Sequence, residues 1–254
     1  MSNAPKHATE KTFQQSFVKE LTHYKWNAPD YLDGNKQTVT VQDLVNNWRR
    51  ELNRINADQL EGVELTDGEF KQVMAKVSLI NKSYEASKIL AIEESKGKID
   101  GIYRDDNPKL TRQQITLTIF KKAEVRGGDS SYQIAREIQT PNGNRFDIVL
   151  LINGLPLINI EQKRTDKSLD EAFGQFQRYY RDGEYTNNFM AFSQMMVVTT
   201  EIETRYFATP KSADEFNPSF VFHWSDKENK PINNWQHVIK HFLMIPMAHQ
   251  MVGD

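Results

Sequence analysis

The order of local patterns along this 254-residue chain predicts one α/β domain with an N-terminal helical portion. In the first hundred residues, apolar side chains recur every three or four positions, which is typical of the buried face of a helix. Beyond residue 110, they alternate with polar residues or form short runs, which is typical of strands. Hydrophobic residues make up 38% of the chain, enough to bury a core.

The composition excludes several classes of protein. The chain has no cysteine, so disulfides, thiolate metal sites and cysteine nucleophiles are excluded. No apolar run approaches the roughly 20 residues that cross a bilayer, and the N-terminus lacks the apolar stretch of a secretion signal. We therefore expect a cytoplasmic protein. With a net charge of −2, any binding of nucleic acid must use a local basic patch.

Four helices are predicted in the first hundred residues, and caps mark where two of them begin. Thr9 is the predicted cap of the first helix, which carries an apolar stripe as far as Tyr24. Thr40 with Asp43 resembles a capping box at the start of the second. The remaining predicted helices cover about 41–57, 67–77 and 82–95.

Strands dominate the prediction from residue 114 onward. Asn153-Gly154 between two apolar runs is typical of a tight hairpin. Ser168 with Glu171 predicts a capping box for a helix that runs to about Arg181 and is closed by Gly183. The predicted strands are 114–120, 145–152, 155–163, 194–199, 205–208 and 220–224, with a loop at 121–131, and the helices are 169–181 and 234–249, the last interrupted at Pro246.

Three ionisable residues lie within the apolar hairpin, namely Asp147, Glu161 and Lys163. Burying them is costly unless they pair or bind a metal. Two carboxylates from neighbouring strands make an oxygen site suited to Mg²⁺, which can activate water for attack on a phosphate. Lys163 can position that water and offset charge in the transition state. A structural ion pair at a strand end is the alternative interpretation.

The pairing register of the hairpin decides between these interpretations. In a plain two-residue turn, with Ile152 opposite Leu155, Asp147 lies opposite Ile160 and Glu161 points to the other face. In a three-residue loop with Gly154 in a left-handed conformation, Asp147 lies opposite Asn159 and shares a face with Glu161. The metal site therefore requires an odd-length loop or a bulge within the hairpin.

An Asp, a hairpin and then Glu-x-Lys resemble the core of the PD-(D/E)xK nuclease superfamily. The longer strings are RFDIVLLINGLPLINIEQKR, LDEAFGQFQRYYRDG and TRYFA. They resemble the N-terminal nuclease domain of the R subunit of type I restriction–modification enzymes, most strongly over residues 145–208. The resemblance implies a restriction-endonuclease-like mixed central sheet flanked by helices, and Mg²⁺-dependent endonucleolytic cleavage of double-stranded DNA.

The same resemblance implies roles for individual residues. Asp147 and Glu161 would be metal ligands with the main-chain carbonyl of Gln162, and Lys163 would be the catalytic lysine. Gln175 and Tyr179 would lie near the active site, where they contact DNA or orient the Glu–Lys strand. The family often has an acid on the first helix, for which the candidates here are Glu10 and Gln14.

Basic residues near these motifs are candidates for contacts with DNA phosphates. One group clusters in sequence around the proposed site and consists of Lys163, Arg164, Lys167, Arg178 and Arg181. A second candidate DNA-facing loop contains Lys121, Lys122 and Arg126. A solvated charged surface is the alternative interpretation. His237 and His241 have helical spacing, but no glutamate follows the first and no third ligand is evident, so zinc is not favoured.

The resemblance also implies three segments and several partners. Residues 1–110 would be the helical portion of the nuclease domain, 111–230 its PD-(D/E)xK core, and 231–254 a helix leading to an absent motor domain. No GxxxxGK[ST] motif, which binds ATP phosphates, occurs in this sequence. ATP would therefore be used by the absent motor domain, and we expect this chain to be a fragment of the R subunit. The modification and specificity subunits would use S-adenosylmethionine. An inert docking module and a stand-alone repair or recombination nuclease of the superfamily remain alternatives.

Overall fold

A mixed six-stranded sheet forms the centre of the computed structural model, which describes residues 9–90, 96–121 and 128–253. Its strands, in spatial order, are β1 (Val39–Thr40), β4 (Tyr132–Gln139), β5 (Arg145–Ile152), β6 (Leu155–Gln162), β7 (Met195–Thr199) and β8 (Thr204–Ala208). The β1–β4 and β6–β7 pairs are parallel, and the others are antiparallel. Strands β2 (Lys96–Tyr103) and β3 (Gln114–Lys121) form a separate antiparallel ribbon.

Helices flank this sheet, so the predicted α/β class is confirmed. They are α1 (Glu10–His23), α2 (Val41–Ile55), α3 (Asp67–Val77), α4 (Ser83–Leu90), α5 (Leu169–Arg181), α6 (Trp235–Val238) and α7 (Met247–Gly253). A π-helical turn, Ile239–Leu243, follows α6, and the predicted interruption at Pro246 precedes α7. Short 3-10 turns cover Asp30–Leu32, Phe189–Phe192, Ala213–Glu215 and Pro218–Phe220. The predicted continuation of the fourth helix over 91–95 lies outside the described residues.

Local hydrogen bonds explain where the helices begin. The Thr9 hydroxyl accepts a bond from the backbone N–H of Thr12, as expected of an N-cap. Both bonds of the capping box are present at the start of α2, where Asp43 replaces the usual glutamate. The capping box predicted at Ser168 is wrong. Ser168 accepts from the N–H of Asp170, and the carboxylate of Glu171 instead lies 3.4 Å from Lys167 Nζ.

The hairpin between β5 and β6 combines a tight turn with a bulge. Asn153 and Gly154 both have positive φ, which matches the type I′ turn predicted for this dipeptide. Ile152 pairs with Leu155, so the three-residue loop is wrong. The register then shifts by one, and beyond that shift Ile148 pairs with Ile160. The bulge that the site requires is therefore present, within β6 rather than at the turn.

The sequence prediction missed three strands and included one that the structure does not have. Strands β1, β2 and β4 were missed, because β1 has two residues, β2 is interrupted by register shifts, and β4 carries charged residues in its second half. The strand predicted over 220–224 is wrong, since Phe222 forms only one isolated bridge, with Tyr206. Lys121 belongs to β3 rather than to the predicted loop.

Packing joins the N- and C-terminal parts of the chain. One cluster of buried apolar side chains extends from Phe13 on α1, through β5 and β6, to Ala248 on α7. Trp235 stacks on Phe17 and meets Phe13 edge-on, which holds α1 beside the sheet. Within the described ranges, every helix is too short or too polar to cross a membrane.

Candidate active site

The far end of the β5–β6 hairpin brings together the three ionisable residues that the sequence singled out. Continuing the register beyond Ile148 and Ile160 places Asp147 across from Glu161. The backbone N–H of Gln162 donates to Asp147 Oδ2 over 2.8 Å, and Lys163 Nζ lies 2.7 Å from Glu161 Oε1. Glu161 is only 1% exposed and the Lys163 side chain 15%, so both charges are largely removed from water.

This arrangement leaves two buried acids beside one cation. Burial raises the pKa of Asp147, against the opposing effects of the Gln162 N–H and the Lys163 charge. Burial and the nearby Asp147 carboxylate together raise the pKa of Glu161 well above its ordinary value. Burial would lower the pKa of Lys163, but the Glu161 and Asp147 carboxylates outweigh it, so the net shift is upward. A second positive charge would relieve the remaining acidic excess.

A polar cleft of about 300 Å³ opens beside Asp147. Helix α1 supplies Glu10, Lys11 and Gln14 to its wall. Glu10 is the first residue of the helix, and its charge adds to the upward shift in the pKa of Lys163. The Gln14 amide lies 3.5 Å from the Asp147 carbonyl. Both first-helix candidates therefore lie at the site, Glu10 as a charge and Gln14 as a contact to the backbone of β5.

Sequence reasoning missed four residues of this cleft, namely Lys11, Asn35, Glu137 and Arg145. The register of β4 and β5 places Glu137 across from Asp147, and Arg145 Nε lies 2.9 Å from Glu137 Oε2. Glu137 could not be found because β4 itself was not predicted. Arg145 had a detectable signal, since a residue two positions before Asp147 on a strand projects from the same face.

Gln175 and Tyr179 support the site from α5. They hydrogen-bond to each other, and the Tyr179 hydroxyl donates to the Arg145 carbonyl over 2.7 Å. The ring of Tyr179 is buried and meets Phe146 edge-on. Burial, followed by the Glu161 charge, raises the pKa of Tyr179, so its hydroxyl stays protonated and can donate. The pair thus braces β5, the strand that carries Asp147.

Four of the predicted basic residues are exposed, namely Arg164, Lys167, Arg178 and Arg181. Arg164 pairs with Asp166, and Lys167 pairs with Glu171. The guanidinium of Arg178 lies 5.4 Å from the centre of the Tyr179 ring, and Arg181 is exposed near the end of α5. In the second predicted loop, Lys121 lies 3.5 Å from Asp129. Lys122 and Arg126 lie outside the described residues.

Side chains alone supply no complete metal site. In the part of the chain that the structure describes, no three His, Cys, Asp or Glu side chains are grouped so as to hold an ion. The rings of His237 and His241 are 6.4 Å apart and have no third partner of this kind. Any metal at the hairpin would therefore need main-chain oxygen or water in addition to Asp147 and Glu161.

The match to known proteins agrees with the resemblance in the motifs. The family model described as the type I restriction enzyme R protein N terminus matches residues 7–215, which is most of the chain. The chain belongs to this family. The match includes α1, the whole central sheet and α5, and therefore every residue of the cleft.

Named relatives in this family include endonuclease subunits from two bacterial groups. One from Staphylococcus aureus (strain COL), the type I restriction enzyme SauCOLORF180P endonuclease subunit, is 33% identical over 85% of the chain. The SsaAORF53P subunit of Staphylococcus saprophyticus is 34% identical over 82% of it. The EcoprrI subunit of Escherichia coli is 25% identical over 87% of it and is covered to 74% of its own length. The chain spans only 22% and 21% of the two staphylococcal relatives.

Proposed function

We propose that this chain hydrolyses phosphodiester bonds of double-stranded DNA with Mg²⁺, as the nuclease domain of a type I restriction enzyme R subunit. The observation that carries the proposal is the bulged hairpin, which sets Asp147 across from Glu161 with Lys163 beside them. Membership of the R protein family and relatives named endonuclease subunits support it.

The residues present fit a hard divalent cation. Two facing carboxylates whose pKa values are raised by burial gain stability when a cation neutralises them. The N–H of Gln162 points toward Asp147, and the carbonyl of a strand residue points to the same side as its own N–H. Asp147, Glu161 and the Gln162 carbonyl would hold the ion, and Mg²⁺ supplies Lewis-acid activation of water and phosphate when bound.

Lys163 is the group proposed to act on the attacking water. Its ammonium carries three donors and uses one toward Glu161. The other two have no partner among the described residues, and we assign them to the water and a phosphate oxygen. Its raised pKa keeps it charged at neutral pH, where it offsets the negative charge that develops on the phosphate. Tyr179 and Gln175 keep β5 in place, and Glu10 adds negative charge at the mouth of the cleft.

The remaining expectations from the sequence are part of this proposal. Arg164, Lys167 and Arg178 would contact phosphates of the duplex around the cleft. Residues 231–254 would lead to an ATP-driven motor domain, and modification and specificity subunits that use S-adenosylmethionine would choose the DNA site. In a bacterial cell this reaction would take place in the cytoplasm.

A docking module that is inert in isolation is the second candidate function. The observation that favours it is an open, largely apolar groove of about 650 Å³, lined by Phe173 and Phe207 and by the exposed Phe220 and Phe222. Exposed apolar surface of this kind suits contact with another protein or domain. In the intact subunit the two functions are compatible, but they predict different behaviour of the isolated chain.

A plasmid-nicking assay distinguishes the nuclease from the docking module. Wild-type chain, Asp147→Asn and Lys163→Ala are incubated with supercoiled DNA and Mg²⁺, with a chelator arm for each. Asp166→Asn is the matched control, because this exposed acid lies close in sequence but, within the described ranges, pairs with Arg164 alone. Metal-dependent nicking by the wild type and the control alone supports the nuclease. No nicking by any protein supports the docking module, and equal nicking by all four contradicts the assigned site.

A further inference from the structure

Arg145 lines the cleft, but the roles proposed above for Asp147, Glu161 and Lys163 do not involve it. It lies two residues before Asp147 on β5, so both side chains project from the same face of the strand. It lines the cleft, and its side chain is 61% exposed. Its Nε faces Glu137, while its two terminal nitrogens have no partner among the residues that the structure describes.

Glu137 is held firmly enough to orient this arginine. Its Oε1 accepts a 2.7 Å bond from the Gln14 amide, and its Oε2 faces Arg145 Nε. Its backbone has a φ of 53°, an unusual conformation for a residue other than glycine in a strand. Gly34 packs so closely that an added Cβ would lie 2.4 Å from the Glu137 carbonyl. A strained residue held in this way at a site is a reason to look for function.

We propose that Arg145 binds a backbone phosphate of the DNA next to the one being cut, and that Glu137 is its positioning residue. The inference rests on the proposed nuclease function and deepens it. A guanidinium held at Nε keeps two parallel N–H donors available, which match two oxygens of one phosphate. The two-residue step along β5, roughly 7 Å, sets this contact apart from the acid pair.

The other arginines near the site differ from Arg145 in what they bind. Arg164 is occupied by Asp166, which meets both its Nε and one terminal nitrogen. The guanidinium of Arg178 lies by the ring of Tyr179, outside the cleft. Arg145 therefore combines an anchored guanidinium, available donors and a position beside Asp147.

The salt dependence of DNA binding tests this assignment. A fluorescein-labelled duplex is titrated with wild-type chain and Arg145→Ala in chelator, and the dissociation constant is measured across a salt series. The logarithm of the association constant falls linearly with the logarithm of the salt concentration, and loss of one phosphate contact makes this slope shallower by about one. It also weakens binding roughly five- to tenfold, because the lost bond is charged but partly exposed. Arg145→Lys should retain the slope and lose part of the affinity.

Arg54→Ala is the matched control. Arg54 Nε lies 2.8 Å from Glu51 Oε2, the same pair of atoms as in Arg145–Glu137, and its side chain is 41% exposed. It lies on α2, away from the cleft, so its loss should leave DNA affinity and salt slope unchanged. Unfolding midpoints of both variants establish that they are folded. Equal affinity and equal slope for Arg145→Ala and Arg54→Ala would overturn the inference.

Glu137→Gln tests the positioning role separately. It removes a negative charge from the cleft, so DNA should bind no more weakly than to wild type. Single-turnover cleavage with saturating DNA and Mg²⁺ should fall roughly tenfold, because the amide has only one acceptor oxygen for the two donors, Gln14 Nε2 and Arg145 Nε, that the carboxylate meets. Wild-type cleavage by this variant would contradict a positioning role. Wild-type chain that neither binds nor cuts DNA would instead contradict the nuclease function itself.

Discussion

Two groups of buried charged side chains, the Glu69–Arg104 pair and the acids and lysine of the β5–β6 hairpin, differ in whether their charges balance. Glu69 on α3 pairs with Arg104 at 2.9 Å, and both side chains are 1% exposed. Every charged oxygen of Glu69 has further donors, from the backbone of Thr66 and Asp105, and Arg104 also donates to two main-chain carbonyls. One negative charge meets one positive charge, and both oxygens of the Glu69 carboxylate and all three nitrogens of the Arg104 guanidinium have hydrogen-bond partners.

The group at the hairpin is unbalanced by comparison. Asp147 and Glu161 share Lys163 as their nearest cation, and burial raises the pKa of both acids. In a closed pair such as Glu69–Arg104 each charge is compensated, and only removal of one partner is strongly destabilising, whereas an acidic excess is costly unless a cation arrives. Burial of charge therefore does not distinguish a structural pair from a reactive site, but the balance of charge and hydrogen bonds does.

The largest expected effect is on catalysis at the hairpin. Asp147→Asn keeps an oxygen to accept the Gln162 N–H but removes one proposed metal ligand. Cleavage should fall by roughly three orders of magnitude, since a bound metal contributes several kcal/mol to such reactions. The nicking rate at fixed Mg²⁺ measures this. Cleavage within tenfold of wild type would show that Asp147 is not a ligand.

The next largest effect is on stability at the closed pair. Arg104→Met removes the partner of a buried carboxylate and should destabilise the protein by about 3–5 kcal/mol. Urea unfolding measures this, with and without Mg²⁺, and the loss should be the same in both. Lys163→Met is the corresponding change at the hairpin. There the loss should be smaller with Mg²⁺ than without it, because a bound ion would neutralise Asp147 and Glu161, and a loss that Mg²⁺ leaves unchanged would mean that Lys163 is structural in the way that Arg104 is.

A smaller effect is expected where the backbone of β4 meets Gly34. A Cβ at this position would lie 2.4 Å from the Glu137 carbonyl, so Gly34→Ala must displace β4. We expect a loss of about 1–3 kcal/mol in unfolding free energy and a fall in cleavage beyond that explained by unfolded protein. Gly68→Ala is the control for alanine at an exposed glycine, since its φ is not positive and its added Cβ would meet Asp105 only at an ordinary contact distance of 3.4 Å. Cleavage per folded molecule equal to wild type would separate Gly34 from the site.

The smallest effect concerns a second structural pair, Asp33–Arg136. Burial opposes the Asp33 charge, but the bonds from Arg136 and Asn35 outweigh it and lower the pKa of Asp33. A lowered pKa means that the stabilisation is present above the unfolded value and is lost as pH falls through the folded value. Asp33→Asn should therefore cost about 1 kcal/mol at pH 7 and progressively less as the pH falls through the lowered folded pKa of Asp33. Thermal unfolding over a series of acidic pH values measures this, and a cost independent of pH would contradict it.

The hairpin shows how much of the site could be predicted from sequence. The Asn-Gly turn, the apolar strands and the spacing of Glu161 and Lys163 are local features, and the structure has them. The position of the bulge could not be predicted, because it depends on how β6 packs between β5 and β7. Glu137 was missed for a similar reason, since its role depends on a long-range contact with Gly34 and α1. Local sequence patterns thus predicted the acid pair, whereas the residues around it are brought to the site by long-range packing that the sequence does not show.

Thermal unfolding with and without Mn²⁺ tests most directly whether the acidic excess at the hairpin is a metal site. Wild-type chain and Asp147→Asn are each measured in chelator and in excess Mn²⁺. If the acidic excess is a metal site, Mn²⁺ should raise the Tm of the wild type, because a ligand that binds only the folded state stabilises it. Asp147→Asn should be at least as stable as wild type in chelator and should not respond to Mn²⁺. A variant that is less stable in chelator and gains as much from Mn²⁺ as the wild type would show that the acid pair is not a metal site.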